Sequence, residues 1–350
     1  ASVGYQIPDH LKGLDFEGEE IGIVMCGGEL AERSITVPED ADETYSVNVA
    51  VQNRNAEVER LLNVVLVPKE TIGMQGMISH MREYFTGPDN TVYDIVGVYQ
   101  YFDMGLAFGD DVGSFYNYNT IDEEDMFLRP EAEYWDTNCY NVLSYEGASF
   151  WITGDLSQTW LSTIFVSYVN AEMWKEYEDK IYEITKVEGD IYDLVKAGKW
   201  TIDLWCDLNE LVYINKDGNE AVVTQQDQHG FVGYSKASGI NNIIVDAIFS
   251  GCHVTFSKIV DGVPEIDYNN AGLKAYVNAT RELWNESKSC TLPYDGENTA
   301  MDIFANGQTL MTVNTLAEAE LSLADMTADY YILPPPKANE AQADYATTVG

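Results

Sequence analysis

Three features of the chain predict an α/β protein of two lobes. Its 350 residues exceed the size at which a single hydrophobic core stops growing, which makes two lobes the expectation. Its opening third alternates strand and helix patterns in the order βαβαβ, the signature of an open α/β sheet. A long middle region then runs to a return strand near the C-terminus, so the chain crosses between lobes at least twice, and such a linkage makes a hinge. The division read from this pattern is 1–152 with 312–350 for the first lobe, and 153–311, mostly helical, for the second.

The elements follow in order. Residues 20–26 read as a short strand ended by Gly27-Gly28. Val47, Val51, Val58, Leu61 and Leu62 give a helical period through 48–60. The continuous apolar run 63–67 reads as a buried parallel strand closed by Pro68, and 74–85 as an amphipathic helix stopped by Gly87-Pro88. A further buried strand covers 93–98. Residues 105–118 are irregular and rich in Gly, Asp and Tyr. Two strand-like runs, 140–143 and 147–153, follow the patch Tyr134-Trp135-Asp136, and Gly154-Asp155 breaks the second.

In the second half, 163–169 reads as a strand and 172–177 and 191–195 as helices. Thr201 is placed to cap a helix whose apolar stripe is Leu204, Leu208, Leu211 and Val212. Residues 215–219 form a turn, 230–234 a strand, and 239–250 and 272–286 helices. A Gly turn and a strand lie within 304–312, a helix over 316–326, and a last strand over 330–333, before Pro334-Pro335-Pro336.

Charge narrows the function. The chain carries 58 acidic against 19 basic residues, a net charge of −39. Such a surface repels phosphate backbones and anionic lipid, which argues against nucleic-acid or membrane-surface binding. It suits a soluble secreted or high-salt protein, with a calcium-dependent surface as the alternative. The longest apolar runs, 61–67 and 243–249, are far short of the roughly 20 residues a bilayer span needs. Five widely spaced cysteines without a CxxC and only four histidines argue against a structural zinc site. One disulfide is compatible with the count, and at least one thiol is expected to be free and buried.

No motif for nucleophilic catalysis, zinc hydrolysis or phosphate binding is present. Asp136 and Asp155 are the carboxylates to weigh for glycosidase chemistry, against the simpler role of bonding a ligand hydroxyl. Residues 215–219 faintly resemble a calcium loop, but Lys216 intrudes and no closing Glu follows, so a plain turn is expected. Aromatic residues are the most suggestive class, with 23 Tyr and 7 Trp against 12 Phe. Such rings pack on the C–H face of a sugar while Asp, Asn and Gln bond its hydroxyls. Tyr99, Tyr101, Trp135, Trp151, Trp160, Tyr234 and Tyr294 fall at strand ends or in loops, where α/β sheets bind ligands. Trp200, Trp205 and Trp284 fall in predicted helices and are assigned to core packing.

Several stretches resemble, in order, the extracellular solute-binding proteins of ABC importers in their carbohydrate-associated group. They are the helix and strand of 48–67 with its Arg54-Asn55 core, Tyr93-Asp94-Ile95-Val96, Tyr134-Trp135-Asp136 and Gly154-Asp155-Leu156-Ser157. Downstream come Tyr192-Asp193-Leu194-Val195, Gly198-Lys199-Trp200-Thr201-Ile202-Asp203, Gln226-Asp227-Gln228-His229-Gly230-Phe231, 304–310 and 331–337. The most specific is the Gly198–Asp203 run. Tyr134 and His229 depart from the family's usual residues.

The resemblance spans about 20–348 and implies a periplasmic-binding-protein-like (type II) fold, with ligand in the cleft between hinged lobes. It implies capture of a small polar ligand, an oligosaccharide, for the permease subunits of an ABC importer, without catalysis, metal or cofactor. It also implies an extracellular protein held on a Gram-positive-type surface by a lipid anchor. Tyr101, Trp135, Asp155, Tyr234, Tyr294 and Asn314 are the expected ligand contacts, Asp155 and Asn314 because they lie near the two expected crossings. A secreted carbohydrate-active enzyme and a surface adhesin are the alternatives. Because such proteins continue well past the Pro-rich segment, the chain is expected to be C-terminally truncated.

Overall fold

A computed structural model describes residues 9–27, 35–37, 45–73, 75–99, 104–106, 114–121, 132–144, 147–219, 224–234, 243–261, 263–285, 287–288, 290–292 and 299–348. The chain forms two compact units, Ala1–Trp160 and Leu161–Gly350. No helix among the described residues is long and apolar enough to cross a membrane.

The first unit is built on a parallel sheet. Strand β1 (Glu19–Gly27) is followed by helix α1 (Ser46–Leu62), β2 (Val64–Gly73), α2 (Met77–Thr86) and β3 (Ile95–Gly97). The sheet order is β2-β1-β3, both pairs parallel, which realises the βαβαβ reading. Two expected burials are corrected. β2 and β3 are edge strands, so their residues are only partly covered. β2 also runs past Pro68 to Gly73, with a register shift opposite Ile23/Val24. A proline lacks a ladder donor, and an edge strand tolerates that. Asp94 fastens the incoming β3 segment, donating its N–H to Gly22 O (2.7 Å) and accepting Gly22 N–H at Oδ2 (2.7 Å). The core gathers Val24, Cys26, Met77, Met81 and Leu106, with Phe115 and Trp151 packed against it.

The strands expected at 140–143 and 147–153 are absent. Thr137–Val142 is instead a helix, α3, because Asp136 Oδ1 accepts the Cys139 N–H (2.7 Å) and caps it. A side-chain cap on the first free N–H groups outweighs the local strand propensity of Tyr140 and Val142.

The second unit opens with β4 (Phe165–Asn170), then α4 (Ala171–Thr185), α5 (Ile191–Lys196) and α6 (Ile202–Val212). β5 (His229–Tyr234), α7 (Ile243–Gly251), the hairpin β6 (Ser257–Val260) and β7 (Val263–Ile266), and α8 (Ala271–Asn285) follow. β8 (Cys290–Leu292), α9 (Ala300–Ala305), β9 (Thr309–Thr315) and β10 (Tyr330–Leu333) complete it. The five-stranded sheet runs β10-β4-β9-β5-β8. β4 is antiparallel to both neighbours, while β5 is parallel to β9 and β8. The helix expected over 316–326 is reduced to a single helical turn, Glu318–Leu321.

The division of the chain is corrected as well. Residues 312–350 belong with the second unit. β9 and β10 flank β4, and beyond them the Phe165 N–H donates to Thr348 O (3.2 Å). The backbone hydrogen bonds of a central strand hold these residues in place, since no buried ladder group can be left unpaired.

The run from Gly198 and the Pro-rich segment prove to be structural partners. Lys337 N donates to Trp200 O (3.1 Å), Ile202 N donates to Lys337 O (2.9 Å), and Trp200 Nε1 donates to Pro334 O (3.0 Å). Lys337 itself is buried, its ammonium donating to Gln342 O (2.8 Å) above the Tyr345 ring. Thr201 caps α6 as expected, accepting from Leu204 N (3.2 Å). Trp200 precedes α6 rather than lying in it, and packs edge-on against Trp205 at 5.4 Å. Trp205 then meets Phe231 at 5.0 Å, and Phe231 meets Trp284 at 5.6 Å, which realises the core role of all three tryptophans. Cys26, Cys139, Cys206 and Cys252 are free thiols, and burial pushes Cys206 and Cys252 up to about 12.

Candidate functional site

The expected contact residues fall into two groups, one in each unit. In the first unit, Trp135 and Gly154 form an antiparallel bridge. Around it, Asp136 N donates to Thr153 O (2.9 Å) and Asp155 N donates to Tyr134 O (2.9 Å). Two segments far apart in sequence are thereby zipped so that Trp135 and Asp155 are brought together. Gly154 allows this, with φ +157° and no room for a Cβ beside the Tyr134 carbonyl oxygen. The Tyr134 ring, 44% exposed, stands edge-on to Trp135 at 5.5 Å. Asp155 is exposed.

Arg54, singled out only as part of a motif, turns out to position this loop. Its Nη1 donates to Leu156 O (3.0 Å) and its Nη2 to Ile35 O (3.2 Å), while Asn55 Nδ2 also donates to Ile35 O (2.7 Å). A planar guanidinium suits such forked bonding better than an ammonium would. The only sequence signal for this role was the adjacency of Arg54 and Asn55 on a helix.

Three polar atoms near this group lack a hydrogen bond among the described residues: Trp135 Nε1, Trp151 Nε1 and Ser149 Oγ, all buried. An indole N–H is a donor only, so each of these two asks for an oxygen acceptor. Asp136, by contrast, is committed to capping α3 and is not a free carboxylate for acid–base work.

In the second unit, Asn314 lies on β9 opposite Val166 of β4 and is 6% exposed. Its Oδ1 accepts the Thr315 N–H (2.8 Å). Carrying the parallel register of Phe231 with Met311 three residues on brings Tyr234 level with Asn314 at the carboxyl ends of β5 and β9. Tyr234 also pairs with Leu292 of β8. These strand ends are where open α/β sheets hold ligands. Neighbouring side chains are spoken for: Thr312 Oγ1 donates to Val232 O (3.1 Å) and Ser167 Oγ to Pro334 O (3.0 Å). Tyr101 and Tyr294 lie outside the described residues. No cluster of His, Cys, Asp and Glu suited to a metal ion occurs among the described residues. Asp227 holds the turn 215–219 from outside it, accepting the N–H groups of Lys216 (2.9 Å) and Thr224 (3.0 Å) and the Tyr213 hydroxyl (3.1 Å).

No protein-family model matches the chain, and no curated protein matches it. Among solved structures, it is similar to UspC of M. tuberculosis, with 13% identity and a TM-score of 0.52 over 92% of this chain and 70% of that one. It is also similar to an extracellular solute-binding protein from Staphylococcus aureus in complex with maltose. That match has 9% identity and a TM-score of 0.53 over 91% of this chain and 66% of the other. At such identities the likeness is one of fold: this chain carries the α/β fold of the type II periplasmic-binding-protein class that these structures share.

Proposed function

We propose that the protein is an extracytoplasmic solute-binding protein that captures an oligosaccharide for the permease subunits of an ABC importer, working from a Gram-positive-type cell surface under a lipid anchor. The observation that carries the reading is the bridge of Trp135 with Gly154, which brings the backbone of Tyr134 and Trp135 alongside that of the exposed Asp155. A ring face for sugar C–H groups next to a hydroxyl acceptor is the pairing that neutral saccharides require. The fold shared with a maltose-bound protein supports the same ligand class. Tyr101, Tyr234, Tyr294 and Asn314 complete the proposed contact set, and no catalytic residue belongs to it.

The test is a thermal-shift screen of mono- and oligosaccharides, with amino acids, peptides and calcium as comparison. A sugar at 100 times its dissociation constant adds about 2.7 kcal/mol and raises the melting temperature. Trp135→Ala and Asp155→Asn should each abolish that rise while leaving the unliganded melt in place. Release of reducing sugar that disappears in Asp155→Asn would replace this reading with a carbohydrate-active enzyme.

A further inference from the structure

In the first unit the chain runs from β1 out to β2 and then back across to β3, so the strand order reverses between β1 and β3. The crevice outside the carboxyl ends of two such strands is where open α/β sheets hold ligands. Met25 of β1 pairs there with Gly97, the last residue of β3. A Cβ on Gly97 would collide with the Met25 thioether and would stand 3.7 Å from Ile35 Cδ1. The bare glycine therefore lets Ile35 lie against the end of β3.

Ile35 is also where the Trp135–Asp155 group is fastened. Its carbonyl oxygen accepts from both Arg54 Nη2 (3.2 Å) and Asn55 Nδ2 (2.7 Å), while Arg54 Nη1 donates to Leu156 O (3.0 Å). Asn55 Oδ1 fixes the plane of the guanidinium, accepting from Nε (3.1 Å) and Nη2 (3.0 Å). Leu156 directly follows Asp155, whose N–H donates to Tyr134 O (2.9 Å) across the bridge. One side chain of α1 thus joins the end of β3, through Ile35, to the bridge, through Leu156. Hydrogen bonds from a charged donor are stronger than neutral ones. An ammonium is a point charge and cannot reproduce this fork.

We propose that Arg54 is the positioning residue of the ligand site in the first unit. It ties Trp135 and Asp155 to the β1–β3 switch point and so sets ligand affinity from a helix, through the backbone of Leu156, without touching the ligand. The proposal rests on the sugar reading for what is bound, whereas the clamp itself belongs to the unliganded chain.

The test pairs amide hydrogen exchange with calorimetric titration of maltose, maltotriose and lactose, on the whole chain, for the parent, Arg54→Lys and Arg54→Ala. The N–H groups of Asp136 and Asp155 donate across the bridge and report its opening. That of Asp94, bonded to Gly22 O, reports the sheet of the same unit. Arg54→Lys should speed exchange at Asp136 and Asp155 about 10-fold, the loss of one charge-assisted hydrogen bond, and leave Asp94 unchanged. It should weaken sugar binding by the same factor. In Arg54→Ala, methylguanidinium at about 10 mM should restore both, a rescue that general destabilisation would not show. Arg60→Lys, on the same helix and paired with Glu57 (2.6 Å), should change neither. Unchanged exchange at Asp136 and Asp155 would overturn the proposal. So would equal acceleration at Asp94, which would make Arg54 a general stabiliser, or faster exchange with sugar affinity intact. A parent chain that binds none of the three sugars would instead defeat the sugar reading, and faster exchange confined to Asp136 and Asp155 would still uphold the clamp.

Discussion

His229 opens β5 and is wholly buried, and neither ring nitrogen makes a well-formed hydrogen bond among the described residues. Burial drives its pKa from 6.5 down to about 4. The nearby Asp227 carboxylate and Thr224 backbone pull it back only in part, and Lys216 opposes them. The unfolded chain therefore takes up this proton near 6.5 and the folded chain only near 4. Between those values the unfolded state binds more protons, so stability falls as the pH falls through that window. At about 1.4 kcal/mol per pH unit, the loss is about 3 kcal/mol.

The perturbation is His229→Phe, which keeps a ring and removes the titration. Urea unfolding followed by tryptophan fluorescence at pH 7, 6, 5 and 4 reads the second unit through Trp200 and Trp205. Other groups, such as Asp203 and Asp246, both raised by burial, contribute equally to parent and variant and cancel in the difference. The parent should lose about 3 kcal/mol more than the variant between pH 7 and pH 4. Stability curves that stay parallel over the whole window would refute the reasoning. A folded-state resonance that is lost in His229→Phe and titrates near 6.5 would do the same.

Three further outcomes follow from the packing. Gly154→Ala should break the bridge to Trp135 and cost the first unit roughly 2 kcal/mol in urea unfolding, with loss of any sugar-induced thermal shift. Trp205→Ala should cost the second unit about 3–5 kcal/mol, because a fully buried indole in contact with Trp200 and Phe231 leaves a cavity that cannot collapse. Cys206 and Cys252, both pushed up to about 12, should resist iodoacetamide at neutral pH in the native protein and label fully in urea, as read by peptide mass mapping.

Much of the fold was legible in the chain because periodicity is a local property. The period of Val47, Val51 and Val58 announced α1, Thr201 announced its helix, and the apolar runs around Val24 and Val166 announced strands. Capping was legible where the cap stood beside an amphipathic stripe. At Asp136 it was missed, because the stretch after it looked like a strand and the deciding bond was a single side chain to a single N–H. Of the proposed contact residues, Trp135 was picked for its place at a strand end or loop and Asp155 for its place near an expected crossing. Arg54 was not found as a positioning residue, since its acceptors Leu156 and Ile35 lie on other segments.

By itself, then, the sequence determined most of the element types, the α/β class, the aromatic core of the second half and the net acidic charge, most of them set by neighbours a few residues away. Only the tertiary structure decided which strands stand at sheet edges, so that β2 could carry Pro68 and stay half covered. Likewise, it decided that the chain from 312 onward pairs with β4 rather than returning to the first unit. It also joined Gly198 through Thr201 to Lys337, and Trp135 to Asp155. Those outcomes depend on where buried backbone donors and acceptors find partners across long sequence separations, a quantity that no local pattern encodes.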